Sequence, residues 1–123
     1  MIKLVFCVRR LPDMSRADFQ AYWRDRHAPL VREVAPLLRI KRYVQSHTTD
    51  IPSIAAALEA RGGTGPYDGV AELWWDNIAD IVAVGETKEG RAAGRRLLAD
   101  EKNFIDLATS TIFYTEEHVV IGA

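Results

Sequence analysis

The chain has 123 residues, 48% of them apolar, and its 16 basic and 17 acidic side chains leave a formal net charge of −1, the composition of one globular domain spanning 1–123. It lacks the cationic excess that draws a protein to nucleic acid or to an anionic membrane surface, so neither is expected as a partner. Cys7 is the lone cysteine, which excludes an intrachain disulfide and points to a cytoplasmic protein, and a core of this size gains from pairing with a second copy.

In chain order, "IKLVFCVRR" (2–10) is rich in β-formers and apolar on both alternating sets, Ile2/Leu4/Phe6/Val8 and Val5/Cys7, so a strand buried on two faces is expected. Its apolar run is too short to cross a membrane. Ser15 then stands as a helix N-cap, Asp18 supplies the acid of a capping box, and Met14 is placed to staple onto Phe19. The apolar stripe of this first helix runs Phe19, Trp23, His27, Leu30, Val34, and Pro36 closes it. "LRIKRYVQSHTT" (38–49) reads as a second strand, and "IPSIAAALEARGGTG" as a short extra helix running into a glycine-rich loop. "DGVAELWWD" (68–76) is a third strand. Asp76 or Asn77 caps a helical region that breaks near Gly85 and resumes from about Thr87 to Asp100, and "STIFYTEEHVVI" (110–121) is a fourth strand. The order predicts an α+β, ferredoxin-like βαββαβ fold with a short helix inserted between strands 2 and 3. Two helices cover one face of such a sheet, so the bare face is expected to pack on that of a second copy in a symmetric dimer.

His27 occupies the sheet-facing stripe of the first helix. Pro29, two residues on, has no N–H and crowds the carbonyl of Asp25, so the helix is expected to kink or change character beside the imidazole. Two readings of His27 stand: a proton-exchanging group facing a ligand, with an unperturbed pKa near ~6.5, or a buried residue bonded to backbone or carboxylate, the commoner case for such spacing. Asp25 lies about 200° around an ideal helix from His27 and reads as a surface carboxylate. Tyr43 shares its strand face with Lys41, Gln45 and His47, a polar set facing either a cavity or solvent. Trp74 and Trp75, adjacent on a strand, must point to opposite faces, one to the helices and one to the dimer partner; both, with Trp23, are candidate walls of a substrate site. His27, His47 and His118 lack metal-site spacing, so no metal is expected. "GGTGPYDG" does not open a helix and so is not a nucleotide loop, and Cys7 reads as a structural thiol.

The stretches "FQAYWRDRHAPLV" (19–31), with Tyr22, Trp23, His27 and Pro29 at its centre, "RYVQSH" (42–47) and "DEKNFID" followed by "EEHVVI" together resemble the EthD family of dimeric α/β-barrel proteins. The resemblance implies a ferredoxin-like protomer, a dimer closed by two sheets, and a ligand cavity between each sheet and its own helices. It also implies His27 as the acid/base group and Tyr43 as a supporting hydroxyl, working without an organic cofactor on a small apolar or aromatic substrate with a carbonyl or lactone, in an isomerase, cyclase or dehydratase reaction. An oxidoreductase or monooxygenase acting on an aromatic or haem-like ligand is the alternative, as is a non-catalytic module that holds a hydrophobic metabolite. The insertion Glu59 to Pro66 is expected to form the cavity mouth.

Overall fold

The computed structural model describes residues 1–62 and 65–122. Four strands, β1 (Ile2–Val8), β2 (Arg42–His47), β3 (Gly69–Trp75) and β4 (Thr111–Glu116), form one antiparallel sheet in the order β2-β3-β1-β4. Between β1 and β2 the chain forms α1 (Arg16–Tyr22), a π-helical turn (Trp23–His27) and α2 (Ala28–Val34). A 3₁₀ turn (Pro52–Ile54) and α3 (Ala55–Glu59) make the exposed insertion before β3, and α4 (Ile78–Glu86) and α5 (Lys88–Glu101) lead back toward β4. This is the α+β, ferredoxin-like arrangement that the alternation of elements predicts.

Where the elements end departs from the sequence pattern for physical reasons. β1 stops at Val8 instead of Arg10, because the Asp68 carboxylate accepts the Arg10 N–H at 2.8 Å in place of a neighbouring strand. β2 begins only at Arg42, since the 38–40 segment is spent on the turn after α2, where Ile40 N–H donates to the Ala35 carbonyl. The sequence pattern predicts a β4 that reaches Ile121, but the strand ends at Glu116: its register partner there is Ile2, the first residue of β1, so residues beyond have no strand to pair with. The break between α4 and α5 falls at Thr87, not Gly85; Thr87 is extended (φ −106°, ψ 146°) and its Oγ1 caps α5 by accepting the Gly90 N–H at 2.9 Å.

The first helix starts as its sequence dictates, with Ser15 Oγ accepting the Asp18 N–H at 3.0 Å. Its interior changes character before Pro29. The Ala28 N–H bonds to the Trp23 carbonyl five residues back, which widens the helix into a π turn just where proline cannot donate to the Asp25 carbonyl. One cluster of buried side chains, Val8, Phe19, Trp23, Ala71, Phe104 and Ile105, ties this helix to the sheet, and a second, Val34, Leu38 and Ala93, ties α2 to α5. Each large apolar side chain so buried contributes on the order of 1.5–3 kcal/mol.

Candidate active site

Residues of both clusters line a cavity of about 420 Å³ between the sheet and its own helices. Leu4, Phe6 and Val8 of β1, Leu73 and Trp75 of β3, Val31 of α2 and Leu97 of α5 give it apolar walls; among the described residues, the side chains there that carry a titratable group are His27, Tyr43, Glu101 and Tyr114.

The π turn aims His27 into this space. The residue is 5% exposed, its ring lies 5.0 Å from that of Phe104, and Nδ1 is 2.7 Å from Asp100 Oδ2 on α5. Asp100 is held in turn: its Oδ1 accepts the Tyr22 hydroxyl at 2.6 Å and the Asn103 side-chain amide at 3.4 Å. Burial pushes the Asp100 carboxyl up, but the hydrogen bonds from Tyr22, His27 and Asn103 outweigh it and hold the group below its ordinary value. Burial dominates at His27, lowering it despite the favourable charge of Asp100. Both directions describe one state: a neutral imidazole whose Nδ1–H donates to an ionised carboxylate, leaving the Nε2 lone pair for a guest.

Tyr43 also lines the cavity, from β2. Burial pushes its hydroxyl up, opposed by hydrogen bonds from Gln45 and Trp23. Gln45 Nε2 donates to the Tyr43 hydroxyl at 3.0 Å and to the Trp23 carbonyl at 2.9 Å, fastening the edge strand to the π turn. The sheet face of Tyr43, Gln45 and His47 therefore looks toward the helices. His47 stacks on Trp23 with ring centroids 4.6 Å apart and does not join His27; among the described residues no three His, Cys, Asp or Glu side chains gather as a metal site would require.

Of the three candidate tryptophans, Trp23 and Trp75 line the cavity, and the Trp75 indole N–H donates to the Leu38 carbonyl at 2.7 Å. Trp74 does not. Strand alternation turns it to the opposite face of the sheet, where Lys3 and Arg42 lie 5.4 and 4.9 Å from its ring and its N–H donates to Glu117. The cavity mouth expected of Glu59 to Pro66 is also corrected: the described residues of that insertion line a separate surface hollow with Thr48 to Pro52, while Gly63 and Thr64 lie outside the described residues. Asp25 is exposed and paired with Arg24, as its helix position predicts.

Asp100 and Glu101 are the site residues that sequence reasoning missed. A signal for Glu101 existed: Gly94, Leu97, Leu98 and Glu101 share one row of α5, so an acid stands at a position of the apolar stripe.

A model of the EthD domain matches residues 11–108. The chain belongs to the EthD domain family. Among solved structures, this EthD chain is similar to an ethyl tert-butyl ether D (EthD) family protein of Bacillus halodurans, at 21% identity and a TM-score of 0.61, over 96% of this chain and 99% of that one. It is similar to a dimeric protein of ferredoxin-like fold from Bacteroides fragilis, at 9% identity and a TM-score of 0.58, over 94% and 95%. A Deinococcus radiodurans protein named for antibiotic-biosynthesis monooxygenases aligns over 100% and 98% of the two chains at 14% identity and a TM-score of 0.53. At such identities the likeness speaks to the fold alone. No curated protein matches the chain.

Proposed function

We propose that this EthD-domain protein is a small-molecule enzyme in which His27 moves a proton at carbon beside a carbonyl or lactone, on an apolar or aromatic substrate held in the cavity between sheet and helices. The observation that carries this reading is the buried His27–Asp100 pair at the cavity wall, in which Nδ1 is bonded to the carboxylate and no hydrogen-bond partner engages Nε2 among the described residues. Asp100 fixes the Nδ1–H tautomer and stabilises the imidazolium that forms when Nε2 takes a proton; Tyr22 and Asn103 keep Asp100 in place. Trp23 and Trp75 supply flat apolar surface for the substrate, and Tyr43 a hydroxyl that orients it. The same reading has the protein work in the cytoplasm as a homodimer, joined by the sheet face opposite the helices.

Proton exchange tests it. Ketone and lactone probes in D₂O, followed by proton NMR, are expected to exchange hydrogen beside the carbonyl in the presence of the protein. His27→Ala should slow this by roughly 10²–10⁴-fold, the usual contribution of a general acid/base group. Asp100→Asn, which keeps the side-chain shape but no longer enforces the tautomer, should fall between. Binding of the probes with no exchange in either protein would instead favour a carrier role.

A further inference from the structure

The cavity holds one acid that the His27–Asp100 pair does not use. Glu101 ends the lining row of α5, and no side-chain hydrogen bond or ion pair engages its carboxyl among the described residues, whereas its neighbour Asp100 accepts from Tyr22, His27 and Asn103. The groups that face the same space are His27 from the π turn, Tyr43 from β2 and Tyr114 from β4; no lysine or arginine is among the lining residues. Glu101 lies near enough to Tyr43 for its charge to raise that hydroxyl. Burial first, and the charge of Asp100 second, push Glu101 from its ordinary value up to about 7, so near neutral pH much of it carries a proton. A carboxyl with no hydrogen-bond partner among the described residues, in a cavity with no lysine or arginine among its described lining residues, is suited to an uncharged guest that offers an oxygen acceptor.

We propose that Glu101 donates its O–H to the carbonyl oxygen of an uncharged, enolisable aromatic or alicyclic ketone or lactone, and that it works with His27 as the second proton-handling group of the site; the inference rests on the acid/base reading of His27. In the step this describes, His27 Nε2 takes the proton from the carbon beside the carbonyl, and the C–H electron pair becomes the carbon–carbon π bond. The carbonyl π pair moves to oxygen, which takes the Glu101 proton. The products are a neutral enol, an imidazolium facing Asp100 and a Glu101 carboxylate. Return of the imidazolium proton to carbon and of the enol proton to Glu101 restores both groups, with no oxidant or co-reactant consumed.

The test uses 2-acetonaphthone as an uncharged probe and 2-naphthoate as its anionic counterpart, with affinity measured by calorimetry at pH 6 and pH 8 on wild type, Glu101→Gln and His27→Ala. Wild type is expected to bind the ketone several-fold more weakly at pH 8, as the donor proton is lost. His27→Ala should keep that drop, which excludes the imidazole as its source, and Glu101→Gln should abolish it because the amide donates at both pH values. Naphthoate should bind wild type at pH 8 at least tenfold more weakly than the ketone. Equal ketone affinity at the two pH values in wild type, an unchanged drop in Glu101→Gln, or no binding of the ketone would overturn the proposal. Hydrogen exchange at the methyl group of the same ketone separates the two readings. Exchange lost in His27→Ala but unaltered in Glu101→Gln removes Glu101 from the reaction and leaves the His27 reading standing. The predicted pH-dependent binding without any exchange overturns acid/base work by His27, and with it the proton-handling role proposed for Glu101, and leaves Glu101 as a recognition group alone.

Discussion

Glu101 and His27 face one cavity, and burial drives them in opposite senses, the acid upward and the imidazole downward, so that both favour their neutral forms. Their effects on stability against pH therefore have opposite signs. Glu101, raised from 4.5 to about 7, binds its proton more tightly in the folded state; its contribution is fully present below its unfolded value and is lost as pH rises through about 7. His27, lowered in the folded state, contributes above its unfolded value of 6.5 and loses that contribution as pH falls. The Glu101 part can be isolated. Relative to wild type, Glu101→Gln is expected to be more stable at pH 8 than at pH 4.5, by up to roughly 3 kcal/mol at about 1.4 kcal/mol per pKa unit, as read by urea unfolding at each pH. An identical stability difference at the two pH values would mean that the carboxyl is not desolvated in the fold.

At the scale of elements, α5 shows why a cavity persists in so small a protein. Gly94 sits among the lining residues, and a Cβ built there meets nothing within 4 Å, so the helix presents bare backbone to an open space. Gly94→Leu is expected to remove the helix penalty of glycine, about 1 kcal/mol, and to fill part of the cavity, because its Cβ would start in open space. A raised melting temperature together with loss of 2-acetonaphthone binding would bear this out; retained affinity would place the guest elsewhere. Gly69 on β3 is the opposite case: a Cβ there would lie 2.4 Å from the Trp23 ring, so the strand needs glycine to let the π turn approach the sheet. Much of this architecture is legible in the sequence. Ser15, the alternation in "IKLVFCV" and the Phe19/Trp23/His27 stripe place the first strand and helix, and Pro29 announces the change of helix beside His27. The partner of that imidazole is not legible, because Asp100 lies 73 residues away and only the packing of α5 against the π turn brings the two together. The choice between Trp74 and Trp75 needed the same information: alternation says they part, but only the helices say which side is covered.

For the molecule as a whole, one face of the sheet lies under helices and the other does not. Leu4, Phe6 and Val8 point inward, whereas Val5, Cys7, Val44, Val70 and Phe113 lie on the outer face beside Trp74, Arg42 and the Lys3–Glu72 ion pair; the first four are half-buried, and Phe113 is 46% exposed. Beyond β4, Val119, Val120 and Ile121 are 66%, 90% and 93% exposed, which adds an apolar segment to what a lone chain leaves in water. A second copy packed sheet to sheet would cover this surface with a self-complementary one, as twofold symmetry requires. Phe113 is the residue to change, because it is on the edge strand, opposite Val5 in register, and contributes nothing to either core cluster. Light scattering of wild type at micromolar concentration is expected to give twice the 13.8 kDa chain mass, and Phe113→Glu, which would place two carboxylates against apolar surface at the interface, should shift the protein to the single-chain mass while its far-ultraviolet circular dichroism is retained. Wild type running at 13.8 kDa throughout that range would mean that the outer face stays in solvent and that the dimer is not the working form.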